Sequence, residues 1–347
     1  MDAIRILVNN GANCFRLRLF VNPKQRDEWG GFTGNNLEYT IKLAKRVKEV
    51  NALLVLDPHY SDTWADPGKQ YTPEAWRSLN FDQLVEKVYE YTRDTVTAFH
   101  DEGVLPDMVQ IGNEITCGIL WPVGKVCDVE NPEQQWVNFT TLLKAGIRGL
   151  RDAPGGSYVK VILHIHSGGS WETTRWFFSN IERHGVEYDV IGLSYYPIWH
   201  GSLHDLKDNL TRTALTFNEE IFLVETGYSY RPVDFGPLEE TGGRYMVWPK
   251  TPSGQAKFLE DVVQAVYETP HGKGIGVLWW YPEAIPVDGL TVLNATALFD
   301  ERGKALPALK LFKKIRQKLG SSFLLGGDVS SLAEIERLGG VYSDVDM

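Results

Sequence analysis

Short apolar runs alternate with longer amphipathic stretches along the whole chain. The runs are Cys14–Phe20, Ala52–His59, Met108–Glu114, Lys160–His166, Asp189–Tyr195, Glu220–Gly227 and Gly274–Pro282. Their near-continuous hydrophobicity suits strands buried on both faces, as in a parallel sheet covered by helices. Between them, a helical period predicts helices over Asn36–Val50, Asp82–Glu102, Glu133–Arg151, Trp171–His184, Ser202–Thr216 and Gly254–Glu268. Regular alternation of strand and helix argues for a β/α barrel or a doubly wound sheet. No Pro/Gly/Ser-rich linker or shift of composition divides the chain, so one domain over residues 1–347 is expected.

These runs supply seven strands, and a closed barrel of this class needs eight. The tail provides the candidate: Phe323–Val329 follows a helix predicted over Pro307–Leu319 and has the pattern of a short buried strand. Ser331–Leu338 then predicts a short helix, with Ser331 as N-cap and Glu334 at capping-box spacing. At the other end, Ala3–Asn10 has a helical pattern with no strand before it. The expected architecture is therefore a single (β/α)8 TIM barrel in circularly permuted order. Residues 1–320 would contribute strands 2–8, and residues 321–347 strand 1 with its following loop and helix.

Charge narrows the classes of partner. There are 35 Lys+Arg against 45 Asp+Glu, a formal net charge of -10, which disfavours nucleic acid and anionic membrane surfaces. No run of about 18 apolar residues would span a bilayer. The three cysteines, Cys14, Cys117 and Cys127, fit neither a disulfide framework nor a zinc site, although one bridge between Cys117 and Cys127 is open to an oxidising compartment. Neither a metal nor a cofactor is expected. The first residues show no charged leader followed by an apolar segment, so no signal peptide is visible.

In a β/α barrel the active site is built at the carboxyl ends of the strands. The polar residues that close the apolar runs are Arg16 and Arg18, Asp57 and His59, Asn113 and Glu114, His164 and His166, Tyr195 and Tyr196, and Glu225, with Trp279 and Trp280 at the last run. Two isolated carboxylates among aromatic, amide, imidazole and guanidinium groups suit a saccharide site. Glycoside hydrolysis needs two carboxyl groups flanking the bond, one of them kept protonated. Glu114 and Glu225 are the best pair, because each closes a strongly apolar strand. Arg16 is assigned the structural role of pairing with a strand carboxylate inside the barrel. The histidines lie on different strands without a supporting carboxylate motif, so hydrogen bonding rather than metal ligation is expected of them. Trp64, Trp121 and Trp280 follow strand ends, where an indole can stack on a sugar ring.

At these residues the chain resembles glycoside hydrolase family 53, the endo-β-1,4-galactanases. The matching stretches are FRLRLFVNP (Phe15–Pro23), LDPHYSDTWADPGKQ (Leu56–Gln70), DMVQIGNEITCGILWPVG (Asp107–Gly124), YDVIGLSYYPIWHG (Tyr188–Gly201) and VETGY (Val224–Tyr228). The tail segment Gly326–Asp344 is similar to the stretch with which members of that family begin. The resemblance implies a retaining barrel with catalytic glutamates on strands 4 and 7, which Glu114 and Glu225 become once the tail is counted as strand 1. It further implies Glu114 as general acid/base, Glu225 as nucleophile and Asn113 on the sugar 2-hydroxyl. Arg18 and Tyr195 or Tyr196 would orient the nucleophile, and Asp57, His59, Trp64, Trp121, Trp280 and Asp328 would contribute to the cleft.

The chain departs from the family at His164–Gly169, where HLDNGW is common, and at Trp280-Tyr281-Pro282, where the family has Trp-Glu-Pro. Between Ser229 and Thr251 the only acids are Asp234, Glu239 and Glu240, without the alternation of a calcium loop. The expected function is endo-hydrolysis of β-1,4-galactan in pectin by a monomer, secreted or periplasmic as a polymeric substrate requires. A related mannanase or xylanase and a non-catalytic sugar-binding barrel are the alternatives.

Overall fold

The computed structural model describes residues 2–233, 236, 240, 242–292 and 294–344. Eight parallel strands close on themselves: β1 (Cys14–Leu19), β2 (Leu53–Pro58), β3 (Met108–Gln110), β4 (Lys160–Ile165), β5 (Val190–Tyr195), β6 (Glu220–Thr226), β7 (Gly274–Trp280) and β8 (Leu324–Asp328). Helices lie between them, and the fold is the (β/α)8 barrel. The strand following Met108 ends at Gln110, four residues short of expectation, because the chain turns away at Gly112 with φ +91° and leaves the sheet.

The ring is completed by the tail. β8 pairs with β7 on one side (Asp328 opposite Trp280) and with β1 on the other (Arg16 opposite Asp328). Helix Leu332–Arg337 follows, but Ser331 does not cap it. Its hydroxyl accepts from Arg18 Nη2 at 3.0 Å, and Glu334 is paired with Arg26 and Arg337 instead of reaching back to the cap.

Two-residue alternation sorts the strand side chains into an outer layer under the helices and an inner layer inside the ring. At the bottom of the inner layer Cys14, Val55, Met108, Ile162, Val190, Phe222, Val224, Leu278 and Leu324 form an apolar plug. Two or four residues further along, the same parity yields Arg16, Asp57, Gln110, His164, Ser194, Trp280 and Asp328. A polar layer thus sits directly on a dry floor, and its charges are satisfied by each other because water does not reach them. On β6 the parity breaks: Leu193 lies opposite Leu223, but Ser194 lies opposite Glu225. This one-residue bulge turns Glu225 inward where strict alternation from Val224 would point it out.

Candidate active site

The polar layer is organised around Arg16, which is 1% exposed. Its guanidinium meets Asp57 Oδ2 at 2.7 Å, Asp328 Oδ2 at 3.1 Å and Glu225 Oε2 at 3.2 Å, and it donates to Asn113 Oδ1 at 2.6 Å and Gln110 Oε1 at 2.8 Å. Burial alone would raise the Asp57 carboxyl, but the charge of Arg16 and the bond from His59 outweigh it and hold Asp57 at about 2. Three carboxylates around one cation leave Arg16 over-matched. Arg18 supplies the second charge, 3.4 Å from Asp328 Oδ1.

Glu114 and Glu225 face each other above this layer, each with a carboxylate oxygen within 4.8 Å of the other. Glu114 sits just after β3 at φ +46°, a left-handed conformation unusual for a residue with a side chain. Gln70 fixes that turn by donating to the carbonyls of Asn113 (2.8 Å) and Glu114 (3.4 Å). The two carboxyls are tuned differently. Burial pushes Glu114 up, to about 8, and the adjacent Glu225 charge adds to the rise; the Ser194 hydroxyl donates to it at 2.8 Å. Burial also raises Glu225, but Arg16 and the Tyr196 hydroxyl (2.8 Å to Oε1) oppose it and favour the anion. Both carboxyls are thus raised, and the opposing contacts at Glu225 make it the more readily ionised of the pair.

His164 supports Glu114 from beneath. Its Nε2 lies 2.8 Å from Ser194 Oγ, whose hydrogen points to Glu114, so Nε2 carries the proton and Nδ1 accepts from Gln110 and from the Glu114 backbone N–H. Burial holds His164 far below its ordinary range, so the ring is neutral. Glu114, His164 and Glu225 also bring potential metal-ligand atoms together. Both ring nitrogens of His164 are already committed to protein groups, which favours proton chemistry at this cluster over ligation.

The cleft above the pair has a volume of about 920 Å³. Of the residues expected there, Asn113, Arg18, His59, Trp64, Tyr196 and Trp280 line it beside the two glutamates. Arg18 lies over the rings of Trp64 (4.4 Å) and Tyr281 (4.9 Å), building an aromatic wall with a cation between its planes.

Four expectations are corrected. Tyr195 has the wrong parity: it points outward, stacks on Phe258 and donates to the Gly201 carbonyl. Trp121 lines a separate side pocket. Asp57 and Asp328 lie under the cleft, fully buried beneath the arginines, instead of lining it. The guanidinium that touches Glu225 belongs to Arg16, while Arg18 orders the aromatic wall.

Several cleft residues escaped the sequence reading: Trp29, Lys69, Trp199 and His200. Tyr281, where the chain departs from the family's Trp-Glu-Pro, also lines the cleft. Trp29 and Lys69 lie on long loops without periodicity and gave no signal. Cys117 and Cys127 form a disulfide that ties the loop after β3. Of the acids weighed for calcium, Asp234 and Glu239 lie outside the described residues.

The family model of glycosyl hydrolase family 53 matches residues 1–312. The chain belongs to glycosyl hydrolase family 53. It is 40% identical over 329 residues to an uncharacterized protein in the bgaB 5' region of Niallia circulans, covering 90% of this chain and 86% of that one. It is 34% identical over 324 residues to an arabinogalactan endo-beta-1,4-galactanase of Thermothelomyces thermophilus, covering 89% and 90%. The solved catalytic domain of the Ignisphaera aggregans family 53 protein superposes with a TM-score of 0.80 at 34% identity, over 90% of this chain and 88% of that domain. Within this family 53 barrel, the paired glutamates stand at the ends of the third and sixth strands in chain order. No helix among the described residues is long and apolar enough to cross a membrane.

Proposed function

We propose that this family 53 protein is an endo-acting arabinogalactan β-1,4-galactanase that hydrolyses galactan with net retention at the anomeric carbon. The observation that carries the reading is the pair of opposed carboxyls with facing oxygens within 4.8 Å, Glu114 raised to about 8 and Glu225 held by Arg16 and Tyr196. Retaining glycosidases hold their carboxyls about 5–5.5 Å apart, whereas inverting ones leave about 6.5–9.5 Å for a water.

In the first step Glu225 attacks the anomeric carbon as the C–O bond to the leaving sugar breaks and Glu114 transfers its proton to that oxygen. In the second, Glu114 takes a proton from water, the resulting oxygen bonds to the anomeric carbon, and Glu225 departs. Tyr196 and Arg16 hold the nucleophile, Asn113 meets the sugar 2-hydroxyl, and Trp64 and Trp280 stack on the chain. Arg16 also donates to the Asn113 amide oxygen, leaving that side chain little freedom to rotate. The test is a panel of β-1,4-galactan, mannan and xylan with the first products followed by proton NMR. Early β-anomer from galactan is expected; early α-anomer would refute retention, and preference for another polymer would reassign the substrate.

Secretion is supported by the polymeric substrate and by the Cys117–Cys127 bridge, a bond that persists in oxidising compartments. A circularly permuted order is supported by the resemblance of Gly326–Asp344 to the stretch with which members of the family begin, since that segment forms the strand beside β1. A chain relinked so that residues 321–347 precede Asp2 should fold to the same active barrel; an inactive, unfolded product would count against that order.

A further inference from the structure

A side pocket of about 410 Å³ lies beside the loop that carries Trp121, separate from the cleft. Tyr71, Trp76, Arg77, Trp121 and Pro122 form its walls. Trp121 is held rigidly: its indole N–H donates to the Cys117 carbonyl at 2.9 Å, Thr72 Oγ1 donates to its carbonyl at 2.9 Å, and the Lys125 ammonium sits 5.0 Å from its ring. Tyr71, paired with Trp121 through a β-bridge, is 53% exposed, far more than packing requires of a ring this large. Arg77 makes one long bond, Nε to the Thr72 carbonyl at 3.4 Å, and pairs with no carboxylate among the described residues. Fixed aromatic surfaces and a free planar donor at the rim are what sugar recognition uses, one for the C–H face of the ring and the other for its hydroxyls.

The position adds a second argument. A single strap lines both cavities: Asp66, Pro67 and Lys69 face the cleft, while Tyr71 and Thr72 face the side pocket. Gln70 between them grips the Glu114 turn with its side chain and accepts from the Trp121 N–H at 2.7 Å with its carbonyl. A polymer held at the side pocket is therefore held by the same loop that borders the cleft.

We propose that this pocket is a second carbohydrate site, outside the catalytic cleft, which takes a β-galactoside unit of the polymer. The ligand class rests on the galactan reading of the cleft. A β-galactoside suits it, because its axial O4 stands on one face and leaves the C–H groups of C3, C4 and C5 on the other, free to stack on Tyr71 or Trp121.

The experiment compares wild type, Tyr71→Ala and Arg77→Ala by electrophoresis through native gels containing β-1,4-galactan, with mannan and xylan gels alongside. Both side chains are exposed, so their truncation leaves the core intact. Retardation by galactan is expected to weaken about three- to ten-fold in each variant, the loss of one stacking or charged contact, while kcat/KM on galactotetraose stays within about two-fold. Unchanged retardation in both variants overturns the site. An equal fall on tetraose and polymer also overturns it, since the residues would then act through the cleft. If galactan proves not to be hydrolysed, the function reading fails by itself. The pocket then stands or falls on Tyr71-dependent retardation in the gel of whichever polymer is cleaved, and its absence from all three gels overturns the site.

Discussion

Arg16 Nη1 stands 3.2 Å from Glu225 Oε2 inside the barrel, with the arginine sealed from solvent. The same cation pairs with Asp57 and Asp328, so the charge beside Glu225 also allows the polar layer to be buried. Arg16→Met should therefore lower stability by about 3–5 kcal/mol, the cost of leaving buried carboxylates without their partner. Its removal also takes away the main influence opposing the burial-driven rise of Glu225, so the acid limb of kcat/KM should move to higher pH. Urea unfolding and a pH–rate profile check both; an unmoved acid limb would separate Arg16 from the nucleophile.

With Glu114 as the proposed acid, the alkaline limb should be its own. Activity requires its proton, so activity should fall as pH rises through the value of about 8 to which burial pushes it. The Ser194 hydroxyl bonds the ionised form and lowers that value, so Ser194→Ala should carry the limb upward. Profiles of kcat/KM for both proteins decide this, and a downward shift would contradict the assigned hydrogen-bond direction.

Truncating the pair separates the two roles. Glu225→Gln should abolish turnover yet leave galactan binding in place. Glu114→Gln should cut kcat by about 10²–10⁴ on galactan, where the leaving oxygen needs a proton, and far less on an aryl galactoside whose leaving group needs none. Equal losses on both substrates would remove Glu114 from the acid role.

Glu283 provides a stability test away from the chemistry. Fully buried, it accepts from the Ser331 N–H at 3.0 Å, and its Oε2 has no hydrogen-bond partner among the described residues. Burial and then the Asp328 charge raise its carboxyl from 4.5 to about 8. The folded protein thus holds a proton that the unfolded chain releases, and stability conferred by the neutral group declines as pH rises from about 4.5 to 8. Thermal unfolding across that window should show a falling Tm in wild type and a flatter profile in Glu283→Gln. Parallel profiles would place the ionisation elsewhere.

The strands and both glutamates were legible because a lone carboxylate closing an apolar run is badly placed unless the fold gives it a partner or a task. Orientation was less so. Strict parity separates Tyr196 from Tyr195 and places Asp57 beneath the cleft, but it fails at Glu225, where the bulge after Leu193 reverses it. The exchange of roles between Arg16 and Arg18 was hidden for a different reason. Both have the same parity, and which guanidinium reaches Glu225 depends on their depth in the ring relative to Asp328. Trp121 follows a strand end in sequence, yet the hairpin after Cys117 carries it away from the cleft.

The seam between β1 and β8 joins Arg16 to Asp328 across 312 residues of chain. Contacts of such long range carry the greatest loop-closure entropy and form late in folding. The charge network around Glu225 is thus completed by the same event that shuts the ring. A half-zipped barrel, however rich in helix, would have its carboxylates in the wrong company, so hydrolysis during refolding should lag behind the return of secondary structure and report ring closure itself.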